Sequence, residues 1–353
     1  MAIDRSSYFS KKITFLNVFL TFTIVLLHAK TPERWGLPLD MSNSFIYMIS
    51  VLAQLGVPMF FFISGLLFYR NCCFKEIERK LSSRVHSLLI PYIIWNILFV
   101  GIFFVLTHIP FIHEKMHMGN ALNDPIEIIY AIINAKYTVL WFVKDLIIFC
   151  ALSAVIFLAL RKKVVAYIVL ILSVFNALMG NAVGSYGYEN IFMWFPMYFS
   201  GAIIGRFYLD KSMIYGDLSS ILKKKMHGKI LILILISVFM FLYAISVNNS
   251  DNLFYYRLFT PIILWILTDL LLKDFLMKKF QVKPWMSYMF FIFCTHQFIL
   301  NVLQKLIVLF FPPTPLVLNI TFILSPIIVI LLLIGFAKFL SKYKFYYYLS
   351  GGR

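Results

Sequence analysis

Long apolar runs, separated by short basic or polar segments, fill the chain from about residue 13 onward. A helix needs roughly 20 mostly apolar residues to cross the hydrocarbon core of a bilayer. Runs of about that length fall near residues 13–29, 45–69, 87–108, 137–160, 164–180, 191–209, 229–248, 258–276, 285–311 and 315–337. The expected fold is all-α, a polytopic membrane protein of about ten transmembrane helices. Residues 1–353 are expected to form one integral-membrane domain, since no repeat, low-complexity stretch or second soluble unit interrupts the pattern.

Composition agrees with this reading. The 353 residues are 61% hydrophobic and 13% charged, whereas soluble domains are nearer half apolar and a quarter charged. The net charge of +17 would suggest nucleic acid in a soluble chain, but here its placement matters more than its size. Of the 32 Lys and Arg, 25 fall in alternate connecting segments, at 5–12, 70–84, 161–163, 206–229, 273–283 and 338–353. Basic residues are retained on the cytoplasmic side, so both termini are expected there, in a multi-pass protein of the cell inner (cytoplasmic) membrane. A miscounted span would destroy the alternation. The expected partner is the lipid bilayer, with no nucleic acid; the oligomeric state is not legible. The first span has a basic start and no small-residue cleavage site before Lys30, so it is expected to stay as an anchor.

Polar side chains inside spans are costly and therefore candidates for function. They are Asn17 and His28 in the first span, Gln54 and Ser64 in the second, Lys144 and Asp145 in the fourth, Asp269 in the eighth, and His296, Gln297, Asn301 and Lys305 in the ninth. The orientation places His28 near the outer end of its helix and Asn17 about 16 Å closer to the cytoplasm, with His296 near the midplane. Most of these groups gather in the outer half, which predicts a water-accessible cavity opening outward. Plainer readings stand beside each functional one. His28 could sit in the headgroup region, Asp145 and Asp269 could make interhelix ion pairs, His296 could bond a neighbouring helix, and Lys305 could snorkel.

Trp35, Trp95, Trp141, Trp194 and Trp285 lie near span ends and read most simply as an interfacial aromatic belt, with Lys342–Tyr348 as a cytoplasmic interface anchor. The loop histidines His108, His113 and His117 lack a nearby Glu or Cys cluster, so a solvated loop is expected and no metal. Cys72, Cys73, Cys150 and Cys294 form neither a disulfide framework nor a metal site, and read as packing or loop residues.

Six phrases in order resemble the acyltransferase type 3 family of multi-spanning bacterial acyltransferases. They are LNVFLTFTIVLLHA with His28; GVPMFFFISGLLF with Ser64 and Gly65; RVHSLLIPYIIWNILF from Arg84; LWFVKDLIIF with Trp141, Lys144 and Asp145; FPMYFSGAIIG; and FFIFCTHQFIL with His296. One departure stands out. The family's basic position in the first helix is Asn17 here, so Lys11 or Lys12 substitutes for it, the reaction is altered, or this member is impaired.

The resemblance implies transfer of an acyl group, usually acetyl, from cytoplasmic acyl-CoA (acetyl-CoA) to a hydroxyl of a cell-surface or lipid-linked carbohydrate acceptor. Such a reaction needs a base for the hydroxyl proton and donors for the developing oxyanion. His28 is the first choice for base or transient acyl carrier, with His296, Asp145 and Lys144 as further catalytic candidates. Asn17, Ser64, Arg84, Trp141 and Trp194 are the candidates for substrate binding. The absence of a Gly-x-Ser-x-Gly elbow argues against a serine-triad hydrolase. Rival readings are a transporter or flippase of a glycan precursor and a catalytically impaired scaffold, although no inverted repeat or pair of broken spans favours transport.

Overall fold

In a computed structural model of the protein, the described residues are 5–39, 44–109, 123–182, 184, 187, 190–208 and 225–352. His113 and His117 lie outside them, as does the basic stretch 209–224. Among the described residues there is no strand, and helices occupy every apolar run of the sequence. In chain order the helices are α1 (Arg5–His28), α2 (Thr31–Arg34), α3 (Ser44–Ala53), α4 (Gly56–Tyr69), α5 (Ile77–Arg84) and α6 (Ile90–Thr107). They continue with α7 (Pro125–Ile133), α8 (Trp141–Ala151), α9 (Ser153–Ala159), α10 (Lys163–Ala182) and α11 (Ile191–Phe207). The series closes with α12 (Lys225–Asn248), α13 (Leu253–Lys278), α14 (Met289–Phe310), α15 (Pro315–Leu340) and α16 (Tyr346–Leu349).

Seven helical segments among the described residues are long and apolar enough to cross a membrane. The remaining expected spans are more complex. The run 137–160 is the pair α8 and α9, bent by 64° at Leu152. Helix α11 has only 17 residues. Helix α13 has 26 residues and carries Arg257, Asp269, Lys273 and Asp274.

The tightest packing joins α4 to α11, and glycines explain it. A Cβ on Gly65 would collide with the Tyr198 carbonyl oxygen, one on Gly201 with that of Phe62, and one on Gly205 with that of Leu66. Gly201 and Gly205 form a small-xxx-small pair, which lets backbones approach where lipid tails supply no hydrophobic drive. Aromatic side chains fill the space beside this seam. Phe61 stacks on Trp194 at 5.4 Å and meets Phe142 edge-on at 4.6 Å, spacings at which aromatic pairs gain beyond their buried area.

This packing corrects the aromatic-belt reading for two tryptophans. Trp194 is fully buried, and Trp95 is 7% exposed with its indole N–H donating to the Leu349 carbonyl at 3.0 Å. An indole N–H removed from water needs such an acceptor. The tail is likewise tucked against the bundle: Tyr346 is buried beside Tyr288 and Phe291, and Gly351, at φ +68°, lies against the Ser87 carbonyl. The cysteines are free thiols. Burial pushes the Cys72 thiol up from its ordinary value.

Candidate functional site

Helix α1 positions the site. At 100° per residue, Thr14, Asn17, Thr21 and His28 fall within about 60° of one another around its axis, so they share one face. The first three line a cavity of about 680 Å³, within the usual range for a small-molecule site. Opposite α1, the wall includes Ser64 of α4, Arg84 at the end of α5, Val143 and Leu146 of α8, Tyr198 of α11, and Lys283 just before α14. The cavity thus lies in the half of the bundle that carries the basic connecting segments. Under the topology expected from the sequence, this half would face the cytoplasm and not the outside. A smaller cavity of about 220 Å³ does occur toward the other end, lined by Lys136, Gln297 and Asn301. Gln297 and Asn301 lie about 100° and 140° around α14 from His296, so they do not share its face.

Three sequence candidates, Asn17, Ser64 and Arg84, line the same cavity. Trp141 and Trp194 do not line it; their rings lie 5.6 Å apart, with Trp194 enclosed by protein. Lys144 and Asp145 are also off the wall, with Asp145 buried and Lys144 half-buried. The cavity wall carries Cys150, which sequence reasoning had taken for packing alone, because a cysteine in an apolar run gives no sign of which way it faces.

Beyond the inner end of the cavity stand His28 and His296, ring centroids 5.3 Å apart and interplanar angle 50°. They are 268 positions apart in the chain, and sequence reasoning placed them at different depths. Local hydrogen bonds bring them together. Past His28 the chain turns into α2, where the Thr31 hydroxyl donates to the Leu318 carbonyl at 3.1 Å and the Arg34 guanidinium donates to Gln304 at 3.0 Å and to Asn301. Gln304 in turn donates to Ser325 at 3.0 Å. The C-terminal end of α1 is therefore tied to both α14 and α15.

His296 is fully buried, with Nδ1 2.8 Å from the Phe293 carbonyl and 3.2 Å from that of Ile292. Carbonyl oxygens only accept, so Nδ1 carries the proton and neutral Nε2 presents a lone pair. That Nε2 is buried with no hydrogen-bond partner among the described residues. Such an atom costs free energy unless something else occupies it. In chemical terms it is a proton acceptor held ready.

A second buried polar cluster accounts for Lys12 and Asp269. The Lys12 ammonium lies 2.7 Å from Asp269, donates to the Trp265 carbonyl at 2.9 Å, and stands 3.4 Å above the Trp265 ring. The Tyr8 hydroxyl also donates to Asp269, at 2.6 Å. Lys11 donates to the Met277 carbonyl at 3.2 Å. Neither lysine lines the cavity, so neither supplies the positive charge absent at Asn17; Arg84 and Lys283 are the cations on its wall.

The profile of the type 3 acyltransferases, described as an acyltransferase domain, matches residues 11–337. The chain belongs to this family. No curated protein and no solved structure matches it. This acyltransferase is a multi-pass membrane protein whose matched region contains the cavity, both histidines and the Lys12–Asp269 pair.

Proposed function

We propose that the protein transfers an acetyl group from acetyl-CoA to a hydroxyl of a cell-surface or lipid-linked carbohydrate. In this reading the chain crosses the cytoplasmic membrane ten times with both termini in the cytoplasm, and the basic end of the cavity faces the CoA pool. The observation that carries the reading is the line of Thr14, Asn17 and Thr21 along α1 toward the His28–His296 pair, with Arg84 and Lys283 at the start of that line. Phosphates of CoA suit Arg84 and Lys283, because a guanidinium or ammonium gives charge-assisted hydrogen bonds to phosphate oxygens. The pantetheine arm then runs past Ser64 and Asn17.

In the transfer, Nε2 of a histidine takes the proton of the acceptor hydroxyl as its oxygen bonds to the acyl carbon. The carbon–sulfur bond breaks, and the proton passes to the departing CoA thiolate. Either His28 or His296 has the reach of a base, with the other ring polarising it or the acceptor. Asp145 and Lys144 act as positioning groups in α8, and Trp141 and Trp194 shape the wall behind them.

The test is reconstitution in proteoliposomes with radiolabelled acetyl-CoA and extracted surface glycan. Label should appear on the glycan with the wild-type protein and be lost with His28→Ala. Movement of acceptor across the bilayer without consumption of acetyl-CoA would establish a transporter instead.

A further inference from the structure

Three phenylalanines of the cavity wall, one from each of three helices, lie against one another. Phe60 of α4, Phe142 of α8 and Phe293 of α14 all line the cavity. Their ring centroids form a closed triangle, with Phe60 and Phe142 5.9 Å apart, Phe60 and Phe293 6.5 Å, and Phe142 and Phe293 5.8 Å. These are contact distances for aromatic rings, so the three form a continuous apolar patch on the cavity wall. On the far side, the Phe293 ring lies 6.0 Å from that of His296.

Two of the three rings are held firmly. Phe142 and Phe293 are each only 6% exposed, and Phe142 abuts Phe61, which is itself stacked on Trp194. Displacing Phe142 therefore means disturbing the core beside the α4–α11 seam. Protein interiors resist such movement because they are packed as densely as organic crystals. The rest of the cavity is roomy, so it places little limit on what the donor carries; the ring triangle does.

We propose that Phe60, Phe142 and Phe293 form a size stop that restricts the transferred acyl group to a very short chain. The inference rests on the acyltransferase reading above. A thioester carbonyl reaching the histidines must present its substituent to these rings. A methyl group fits against them, and each further methylene has to push a ring aside. Discrimination on the order of tenfold or more per added methylene is what a closed apolar wall gives.

The experiment measures free CoA release by the purified full-length protein in nanodiscs with acetyl-, butanoyl- and hexanoyl-CoA, each in the presence of acceptor glycan. The wild type should favour acetyl over butanoyl, which is two methylenes longer, by about a hundredfold or more. Phe293→Ala should narrow that ratio at least tenfold, and Phe60→Leu should narrow it by less. The ratio is internal to each variant, so a general loss of activity does not move it. Where Phe293→Ala fails to give a monodisperse protein, Phe60→Leu and Phe142→Leu carry the test. Unchanged ratios in the variants, or equal wild-type rates with all three donors, overturn the size stop and leave the acyltransferase reading standing. No consumption of any acyl-CoA by the wild type overturns that reading and the size stop with it.

Discussion

Helix α1 carries two polar clusters, one near each end, and they differ in how charge is handled. Around Lys12 the charges are paired: the ammonium has a carboxylate, a carbonyl and a ring face, and Asp269 accepts from both Lys12 and Tyr8, although the second Asp269 oxygen and the Trp265 indole N–H have no hydrogen-bond partner among the described residues. Around His28 and His296 the hydrogen bonds stop one atom short, leaving the His296 Nε2 buried and unbonded among the described residues. A buried pair of opposite charges holds helices in place, whereas a neutral imidazole with an unbonded nitrogen and no charged partner is suited to take a proton. The difference separates structure from chemistry within one helix.

The largest expected effect breaks the comparison at the histidines. His28→Ala or His296→Ala should lower acyl transfer by on the order of 10²- to 10⁴-fold, the usual contribution of a general base, with the Tm in detergent nearly unchanged. Transfer at wild-type rates in both variants would remove the histidines from the chemistry. Asp269→Ala should do the reverse. Stranding the buried Lys12 costs about 3–5 kcal/mol, seen as a large fall in Tm. The double variant Lys12→Met, Asp269→Leu should recover most of that loss and still transfer acetyl; a double variant as unstable as the single one would show that the charges themselves are required.

Gly201→Ala sharpens the contrast with a region that has no polar groups at stake. Its Cβ would meet the Phe62 carbonyl, so α4 and α11 must separate, at a cost of about 1–3 kcal/mol by the usual penalty for overpacking. A Tm equal to wild type would count against that close approach. Arg84→Ala should have the smallest effect, raising the KM for acetyl-CoA about tenfold, as expected for loss of one charge-assisted hydrogen bond worth about 1.5 kcal/mol, while kcat stays near wild type. An unchanged KM would place the CoA phosphates elsewhere.

Much of the architecture was legible because apolar run length is a local property. The runs around α1, α4, α6, α14 and α15 read directly as helices. The run 137–160 read as one span because its composition is uniformly apolar; the 64° break at Leu152 has no proline or glycine to announce it. The α4–α11 seam had a visible sign in Gly201 and Gly205, but the pair gives no indication of which helix it meets. Asn17, Ser64 and Arg84 were recognisable from family phrases, and the structure brings all three to one cavity.

What stayed hidden depended on long-range pairing. Lys12 could not be matched to Asp269 from sequence, nor His28 to His296, because neighbours across helices are set by packing rather than by spacing along the chain. By itself the sequence determined an all-helical membrane protein of the acyltransferase family with a few polar residues too costly to be idle. The tertiary structure alone decided which of them neutralise one another, which face a cavity, and which neutral imidazole keeps an unbonded nitrogen among the described residues. Insertion energetics act residue by residue, whereas satisfaction of a buried polar atom depends on what another helix brings to it.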